Sequence, residues 1–272
     1  MTGHLRRRHV ETWSETYYGG IVEAAEELDM SVTICTVEPG ELARGAPPAR
    51  LLRAQCDGII MQPVAGCDNS VVGTIAPTVF IGSAPTIETR FPVIQADNAT
   101  GIAQLVEYLF ELRHRRFDFF LGAPSHKPYL ERYDRFAACL RERGLQVPAP
   151  VTHPNNNLSA YGQDYARRAP SDRPTALVCC SDGEAAALMQ AFYANGIEIP
   201  AEASVVGFDG RLFGEKCTPP LTTWAVDWHT LGGLAVRTVV DMAEGKGWPS
   251  DVRVGGNLLV RKSAGPAPAL AG

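Results

Sequence analysis

The chain has 272 residues, of which 45% are hydrophobic and 20% are charged, which is the composition of a globular protein long enough to form two compact lobes. Its formal net charge of -5 argues against a nucleic-acid surface, because phosphate binding needs clustered lysine and arginine. No apolar run reaches the roughly 18 to 20 residues that span a membrane, so no membrane association is expected.

The N-terminus and the cysteines indicate where the protein resides. The first ten residues, MTGHLRRRHV, are basic and are followed by polar residues, which predicts no secretory signal. The seven cysteines are scattered and form no C-x-x-C pair, so they are interpreted as small buried side chains in a reducing compartment. We therefore expect a cytoplasmic protein.

Short apolar runs alternate with amphipathic stretches, a pattern typical of β-α-β units around parallel sheets. The elements predicted in the first half are a helix around residues 17–28, a strand at 31–37, a helix at 41–55, strands at 59–61, 78–81 and 93–96, a helix at 98–112 and a strand at 117–121. Asn98 is expected to be the N-cap of its helix.

The second half repeats this alternation. The predicted elements are a helix at 129–143, a strand at 176–179, a helix at 182–195, a strand at 204–208, a helix at 227–244 and strands at 252–254 and 258–260. The residues from Ala264 onward are rich in alanine, proline and glycine, which predicts a disordered tail. The fold class expected is α/β, with two Rossmann-like lobes built on parallel sheets.

Polar residues directly after buried strands are the first candidates for ligand binding, because open parallel sheets bind ligands at the carboxyl ends of their strands. Asp209 follows one strand, Ser181 and Asp182 follow another, and Asn98 follows a third. Asp182 and Asn98 could equally be helix N-caps. No long helix directly follows Asp209, so its carboxylate is the better candidate to accept hydrogen bonds from two neighbouring hydroxyl groups of a sugar.

Arg132 and three aromatic residues extend the list of candidates. Arg132 lies early in a helix, where its guanidinium could donate a fork of hydrogen bonds to ligand oxygens, or could be a solvated surface charge. Trp13, Tyr17 and Trp228 lie near the beginnings of helices and could stack on a sugar ring or pack in the core.

Motifs of catalysis and metal binding are absent. The sequence has no G-x-S-x-G, no phosphate-binding loop, no G-x-G-x-x-G and no H-E-x-x-H, and its six histidines lack metal-ligand spacing. We therefore predict no catalytic residue, no metal, no cofactor and no enzyme activity.

Five stretches of the sequence together carry a resemblance to a known family. They are VIQADNATGIAQLVEYLFELRHRRFDFFLG (93–122), ERYDRFAACLRERG (131–144), PTALVCCSDGEAAALMQAFYANGIEIPAEASVVGFDG (174–210), PPLTTWAVDWHTLGGLAV (219–236) and LLVRKS (258–263). They cover roughly the last two thirds of the chain, in the family's order and spacing. The chain resembles the effector-binding domain of the lactose/galactose-repressor family, which has the type I periplasmic-binding-protein fold.

This resemblance implies a site and a division into lobes. Arg132 and Asp209 would contact a sugar, and Ser181 would lie opposite them. Trp228 would stack on the sugar ring. Three residues would lie at the beginning of the first helix: Thr12, Trp13 and Tyr17. The lobes would be residues 1–122 plus 224–247 and residues 123–223 plus 248–264, with 265–272 as the disordered tail. A ligand in the cleft between lobes would bias a hinge.

The departures from the family concern the first residues. The family has a DNA-binding helix-turn-helix ahead of this domain, and this chain is expected to lack it. Binding to DNA would therefore need a helix-turn-helix that this chain does not contain. The family's first strand is apolar, whereas residues 5–10 read LRRRHV, and three arginines fit poorly in a strand buried on both faces.

The function expected is therefore sensing of a small effector, a sugar or a related molecule, by a homodimeric transcription regulator. The alternative is a solute-binding protein for sugar uptake on the same fold, because one fold hosts several functions. Removing a cleft residue such as Arg132 is expected to leave folding intact.

Overall fold

The computed structural model describes residues 14–42, 45–64, 67–82, 91–124, 126–152 and 158–269. The chain divides into two compact units: unit 1 is Met1–Ala96 with Asp227–Val254, and unit 2 is Asp97–Val226 with Gly255–Gly272. The first boundary therefore lies at Ala96 and not at Gly122, because the helix that follows Ala96 packs on strands and a helix of unit 2. The later boundaries lie at Val226 and Val254, where the sequence predicts 223 and 247.

The helices and strands alternate along the chain, which confirms the predicted α/β class. In chain order they are α1 (Ser14–Glu27), α2 (Pro39–Leu42), α3 (Ala49–Ala54), β1 (Ile59–Met61), β2 (Thr78–Ile81), β3 (Val93–Ala96), α4 (Asn98–Glu111), β4 (Phe117–Phe120), α5 (Lys127–Glu142), α6 (Ser159–Arg167), β5 (Ala176–Cys179), α7 (Asp182–Ala194), β6 (Ser204–Asp209), β7 (Thr222–Val226), α8 (Trp228–Ala243), β8 (Asp251–Val254) and β9 (Gly256–Leu259).

Unit 1 is built on a four-stranded sheet with the order β1-β2-β3-β8, in which all neighbours are parallel. Every residue of β2 and β3 is buried, as expected for parallel strands covered on both faces. Their sequences, TVFI and VIQA, are short and mostly apolar for the same reason.

Glycines set the distance between α1 and α8 in unit 1. A methyl group at Gly20 would overlap the carbonyl group of His229, and one at Gly232 would overlap the carbonyl oxygen of Tyr17. The neighbouring Gly233 is different, because a methyl group there would meet nothing closer than 3.7 Å. Two of these glycines therefore allow close packing of the helix backbones, while Gly233 is not required for it.

Two predictions for unit 1 are wrong. The residues 31–37 form no strand, and Val32 and Ile34 are 42% and 64% exposed, because no described strand pairs with them. The single helix predicted at 41–55 is two short ones, since α2 ends at Leu42 and α3 begins at Ala49. Pro47 and Pro48 lack the backbone N–H groups that a continuous helix would need.

Unit 2 is built on a five-stranded sheet with the order β4-β5-β6-β7-β9, parallel from β4 to β7 and antiparallel between β7 and β9. The helix α6 was not predicted. Its aromatic residues pack with α7 and the sheet in a core that includes Phe120, Tyr165, Leu177, Leu188 and Phe192.

The prediction of a disordered tail is wrong at Gly265 and Ala267. The Nε2 atom of the buried His114 lies 3.0 Å from the carbonyl oxygen of Gly265, and the amide of Gly265 donates to Ser204 Oγ at 3.0 Å. The amide of Ala267 donates to the carbonyl of Leu112 at 2.8 Å. Composition suggested disorder, but these backbone groups find partners; residues 270–272 lie outside the described residues.

Candidate functional site

The carboxyl ends of β4, β5 and β6 meet at one edge of the sheet of unit 2, because these strands are parallel neighbours. Cys180 and Ser181 directly follow β5, Asp209 ends β6, and α5, which carries Arg132, begins shortly after β4. Two of the predicted site residues, Arg132 and Asp209, are in direct contact there.

Arg132 is buried, with 2% of its surface exposed, and it joins three elements of unit 2. Its Nε donates to Asn98 Oδ1 on α4 at 2.8 Å, and its Nη1 donates to the carbonyl of Cys180 and lies 3.3 Å from Asp209 Oδ1. No described residue accepts a hydrogen bond from Nη2. The alternative of a solvated surface charge is therefore wrong, because a guanidinium held in this way is neither exposed nor mobile.

Aromatic rings lie beside the guanidinium. The Cζ atom of Arg132 is 3.7 Å from the centroid of the Phe208 ring and 5.6 Å from that of Tyr129. A desolvated cation–π contact of this kind is worth about 2 kcal/mol. The rings thus offset part of the cost of burying the charge and restrict the orientation of the guanidinium plane.

Asp209 is buried and its backbone has a positive φ of 120°, which a residue other than glycine rarely adopts. Burial raises the pKa of Asp209 above its ordinary value, and Asp182 adds to this shift, while the guanidinium of Arg132 opposes it and favours the carboxylate. The arrangement places a carboxyl group and a guanidinium side by side, where the two can offer both acceptors and donors to hydroxyl groups of a ligand.

Asp182 and Asn98 are not the helix N-caps. Ser181 caps α7, accepting a hydrogen bond from the Glu184 amide at 3.2 Å, and Asp97 caps α4, accepting one from the Thr100 amide at 3.0 Å. The prediction of N-caps was one residue late in both helices. Ser181, predicted to face the ligand, has its hydroxyl oxygen engaged in this cap.

Asp182 has a structural role in unit 2. Its Oδ1 accepts from Thr223 Oγ1 and its Oδ2 accepts from the Arg211 amide, both at 2.6 Å. Burial raises the pKa of Asp182 to about 6, opposed by these hydrogen bonds and by one from the amide of Gly210. Asp182 therefore fixes the turn that follows Asp209.

Two further predicted residues belong to unit 1. Tyr17 lies on α1 and Trp228 at the first position of α8, and each is 6% exposed. Thr12 and Trp13 lie outside the described residues.

Glu184 is a residue of this edge that the sequence analysis missed. It is 2% exposed, its Oε1 has no hydrogen-bond partner among the described residues, and burial raises its pKa. A methyl group placed on Gly122 would lie 3.3 Å from Glu184 Oε2 and 3.2 Å from Cys180 Sγ, so the carboxyl group is beside the ends of β4 and β5. The spacing Ser181-x-x-Glu184, typical of a capping box, could have indicated that the side chain turns back toward this edge.

We expect Glu184→Gln to be stabilising at high pH. An acid with a raised pKa binds more protons in the folded than in the unfolded state, so the stability of the parent falls as pH rises above 4.5, the ordinary value for this group. Glu184→Gln has no carboxyl group that ionises, so its stability does not fall in this way. At pH 8 it should be more stable than the parent by on the order of 1 kcal/mol. Urea unfolding at pH 5 and pH 8 measures the difference.

The control for this prediction is Glu198→Gln, which changes an exposed glutamate after α7. Its stability should follow that of the parent at both pH values. If the free energy of unfolding depends on pH in the same way for the parent and for Glu184→Gln, the pKa of Glu184 is not raised in the folded protein and the prediction is wrong.

The described part of the chain contains no group of three or more His, Cys, Asp or Glu side chains placed to hold a metal ion. None of its described helices is both long and apolar enough to cross a membrane.

The match to a protein family covers more than half of the chain. Residues 106–264 match the family described as a periplasmic binding protein-like domain. The chain belongs to this family. The curated relatives of this chain include transcriptional repressors. The HTH-type transcriptional repressor CytR of Escherichia coli (strain K12) is 28% identical over 185 residues, which are 66% of this chain and 54% of that protein. The chain thus spans about half the length of this relative.

Solved structures of periplasmic binding protein-like domains show the same fold. A protein from Rhizobium etli described as a LacI-family transcriptional regulator matches with a TM-score of 0.76 and 26% identity, covering 93% of this chain and 94% of that one. A periplasmic binding protein/LacI transcriptional regulator from Alkaliphilus metalliredigens QYMF, complexed with D-xylulofuranose, matches with a TM-score of 0.78 and 20% identity over 92% and 93% of the two chains. The resemblance to LacI-type effector-binding domains is confirmed.

Proposed function

We propose that this chain is the effector-sensing domain of a LacI-type transcription regulator and that it binds a small sugar or related polyol at the carboxyl edge of the sheet of unit 2. Arg132 and Asp209 bind the hydroxyl groups, and control of DNA binding operates through the helix-turn-helix part of the full regulator. The domain acts as a homodimer, as the resemblance implies. The CytR relative, a transcriptional repressor, supports regulation over solute uptake.

The observation that carries this proposal is the buried ion pair of Arg132 and Asp209. An ion pair away from water adds little net stability, because desolvation offsets the Coulomb attraction, so stability alone is a weak reason for its presence. A positive φ at Asp209 adds a further cost of roughly 1–3 kcal/mol. Since Arg132 Nη2 has no described acceptor, it is the donor that we expect a ligand oxygen to meet.

The test is a calorimetric screen of mono- and disaccharides, followed by titration of the identified ligand into Asp209→Asn. This variant keeps the shape of the side chain but replaces one acceptor oxygen by a donor. We expect it to lose roughly ten- to a hundredfold in affinity, the effect of about 1.5 to 3 kcal/mol from one charged hydrogen-bonding group.

The matched control is Asp172→Asn, because Asp172 lies at an exposed turn of the same unit. It should bind like the parent. Unchanged affinity in Asp209→Asn, with its fold intact by circular dichroism, would place the ligand elsewhere, and no binding of any sugar in the screen would contradict the ligand class.

A further inference from the structure

The buried arginine and acidic side chains of the described residues all belong to unit 2 and gather at the carboxyl edge of its sheet. They are two arginines and three acids: Arg132, Arg211, Asp182, Glu184 and Asp209. Arg132 pairs with Asp209, and the backbone amide of Arg211 donates to Asp182. Three acids against two arginines leave one carboxyl group whose charge, when it is ionised, is not balanced.

Glu184 is the acid that no arginine balances. Burial raises the pKa of Asp209, and Arg132 and Arg211 both oppose that rise. Burial also raises the pKa of Glu184, but no described cation opposes it there. The Oε1 atom of Glu184 has no hydrogen-bond partner among the described residues. A buried carboxylate without a cation or a donor destabilises the fold, so stability does not explain an acid at this position.

The carboxyl group of Glu184 lies beside the proposed ligand site. A methyl group placed on Gly122, just after β4, would lie 3.3 Å from Glu184 Oε2 and 3.3 Å from Cε2 of Tyr129. The centroid of the Tyr129 ring lies 5.6 Å from Cζ of Arg132. The carboxyl group and the guanidinium are therefore neighbours of one aromatic ring, and this ring is only partly buried. A ligand held by Arg132 would reach Glu184 past the ring of Tyr129.

We propose that Glu184 is a further ligand-binding residue and that the effector is an amino sugar, whose hydroxyl groups meet Arg132 and Asp209 and whose ammonium group meets the carboxylate of Glu184. Glu184 would act within the proposed ligand site, so this assignment rests on the proposed function. An ammonium group supplies the positive charge that the buried side chains lack, and it supplies N–H donors for Oε1. A hydroxyl group would supply a donor but no charge, and would leave the carboxylate unbalanced.

The experiment measures by calorimetry, at pH 7, how tightly the full chain binds three pairs of sugars: D-glucosamine and D-glucose, D-galactosamine and D-galactose, and D-mannosamine and D-mannose. The members of a pair differ in an ammonium group that replaces one hydroxyl group. We expect the amino sugar of at least one pair to bind roughly ten- to a hundredfold more tightly than its partner. The N-acetylated form of that amino sugar carries no charge and should show no such preference.

The variant Glu184→Gln distinguishes recognition of the amine from a general effect on the site. It replaces the carboxylate by a neutral amide of the same shape, so the ratio of the two affinities should fall to about one. The control Glu198→Gln changes an exposed glutamate after α7 and should keep the ratio of the parent.

Two outcomes would overturn the role of Glu184 alone. In the first, the parent binds some of these sugars but does not distinguish the two members of any pair. In the second, Glu184→Gln keeps the preference of the parent for the amino sugar. If the parent binds none of the sugars, the sugar site at Arg132 and Asp209 is itself contradicted, and the role of Glu184 falls with it.

Discussion

Arg132→Ala should lower the stability of the chain by about 3–5 kcal/mol and should abolish ligand binding. The substitution removes the donors that Asn98 Oδ1, the carbonyl of Cys180 and Asp209 Oδ1 share, and it leaves buried acceptors unpaired. This outcome differs from the expectation drawn from the sequence, that folding survives the loss of Arg132. A residue on an open cleft could be removed without harm, but this one is buried and joins α4, α5, β5 and β6.

Urea unfolding followed by circular dichroism measures this effect. Arg135→Ala is the matched control: Arg135 lies on the same helix, is 35% exposed and pairs with the exposed Glu142, so its removal should cost less than about 1 kcal/mol. Arg132→Lys should be intermediate, because lysine keeps the charge but not the planar fork. If Arg132→Ala unfolds at the same urea concentration as the parent, the ion pair does not form in solution.

Gly232→Ala should destabilise unit 1 by about 3 kcal/mol. The new methyl group would overlap the carbonyl oxygen of Tyr17 and would lie 3.0 Å from the amide nitrogen of Ile21, both on the backbone of α1. A backbone atom cannot turn aside as a flexible side chain can, so α1 and α8 must separate. That separation loosens the packing of Tyr17 and Ile21, which are buried in unit 1.

Gly233→Ala provides a sharp comparison, because it makes the same change one residue later in α8. Its methyl group would meet only ordinary contacts, at 3.7 Å and beyond, and alanine is a better helix former than glycine by roughly 0.5–1 kcal/mol. The melting temperatures of the two variants should therefore move in opposite directions. Equal shifts would mean that α1 and α8 are not in backbone contact at Gly232.

The alternation of the fold could be predicted because apolar runs and helical spacing are local properties of a sequence. The predicted helix at 182–195 and strand at 204–208 correspond closely to α7 and β6. The stretch 31–37 shows the limit of this reasoning: its residues favour a strand, but a strand also needs a neighbour, which no local pattern can supply. The helix α6 was missed although its buried residues, Tyr161, Gly162 and Tyr165, recur at helical spacing.

The candidate site was predicted only in part for a related reason. The resemblance named Arg132 and Asp209, and the structure brings them within 3.3 Å. Residue type and spacing could not show that Arg132 also donates hydrogen bonds to Asn98 and to the carbonyl of Cys180. These contacts join positions that are far apart in the chain. Glu184 was missed because its burial depends on the ends of β4 and β5.

The division of unit 1 between both ends of the chain has a consequence for biosynthesis. The ribosome releases α1 and β1 to β3 first, then most of unit 2, and only afterwards α8 and β8, which complete unit 1. Tyr17 and Ile21 on α1 must therefore wait for α8 while the intervening segment is translated and begins to fold. Unit 2 also receives last its final strand, β9, and Gly265, whose carbonyl oxygen lies 3.0 Å from His114 Nε2. The apolar face of α1 therefore has no α8 to pack against until the last part of the chain has been translated.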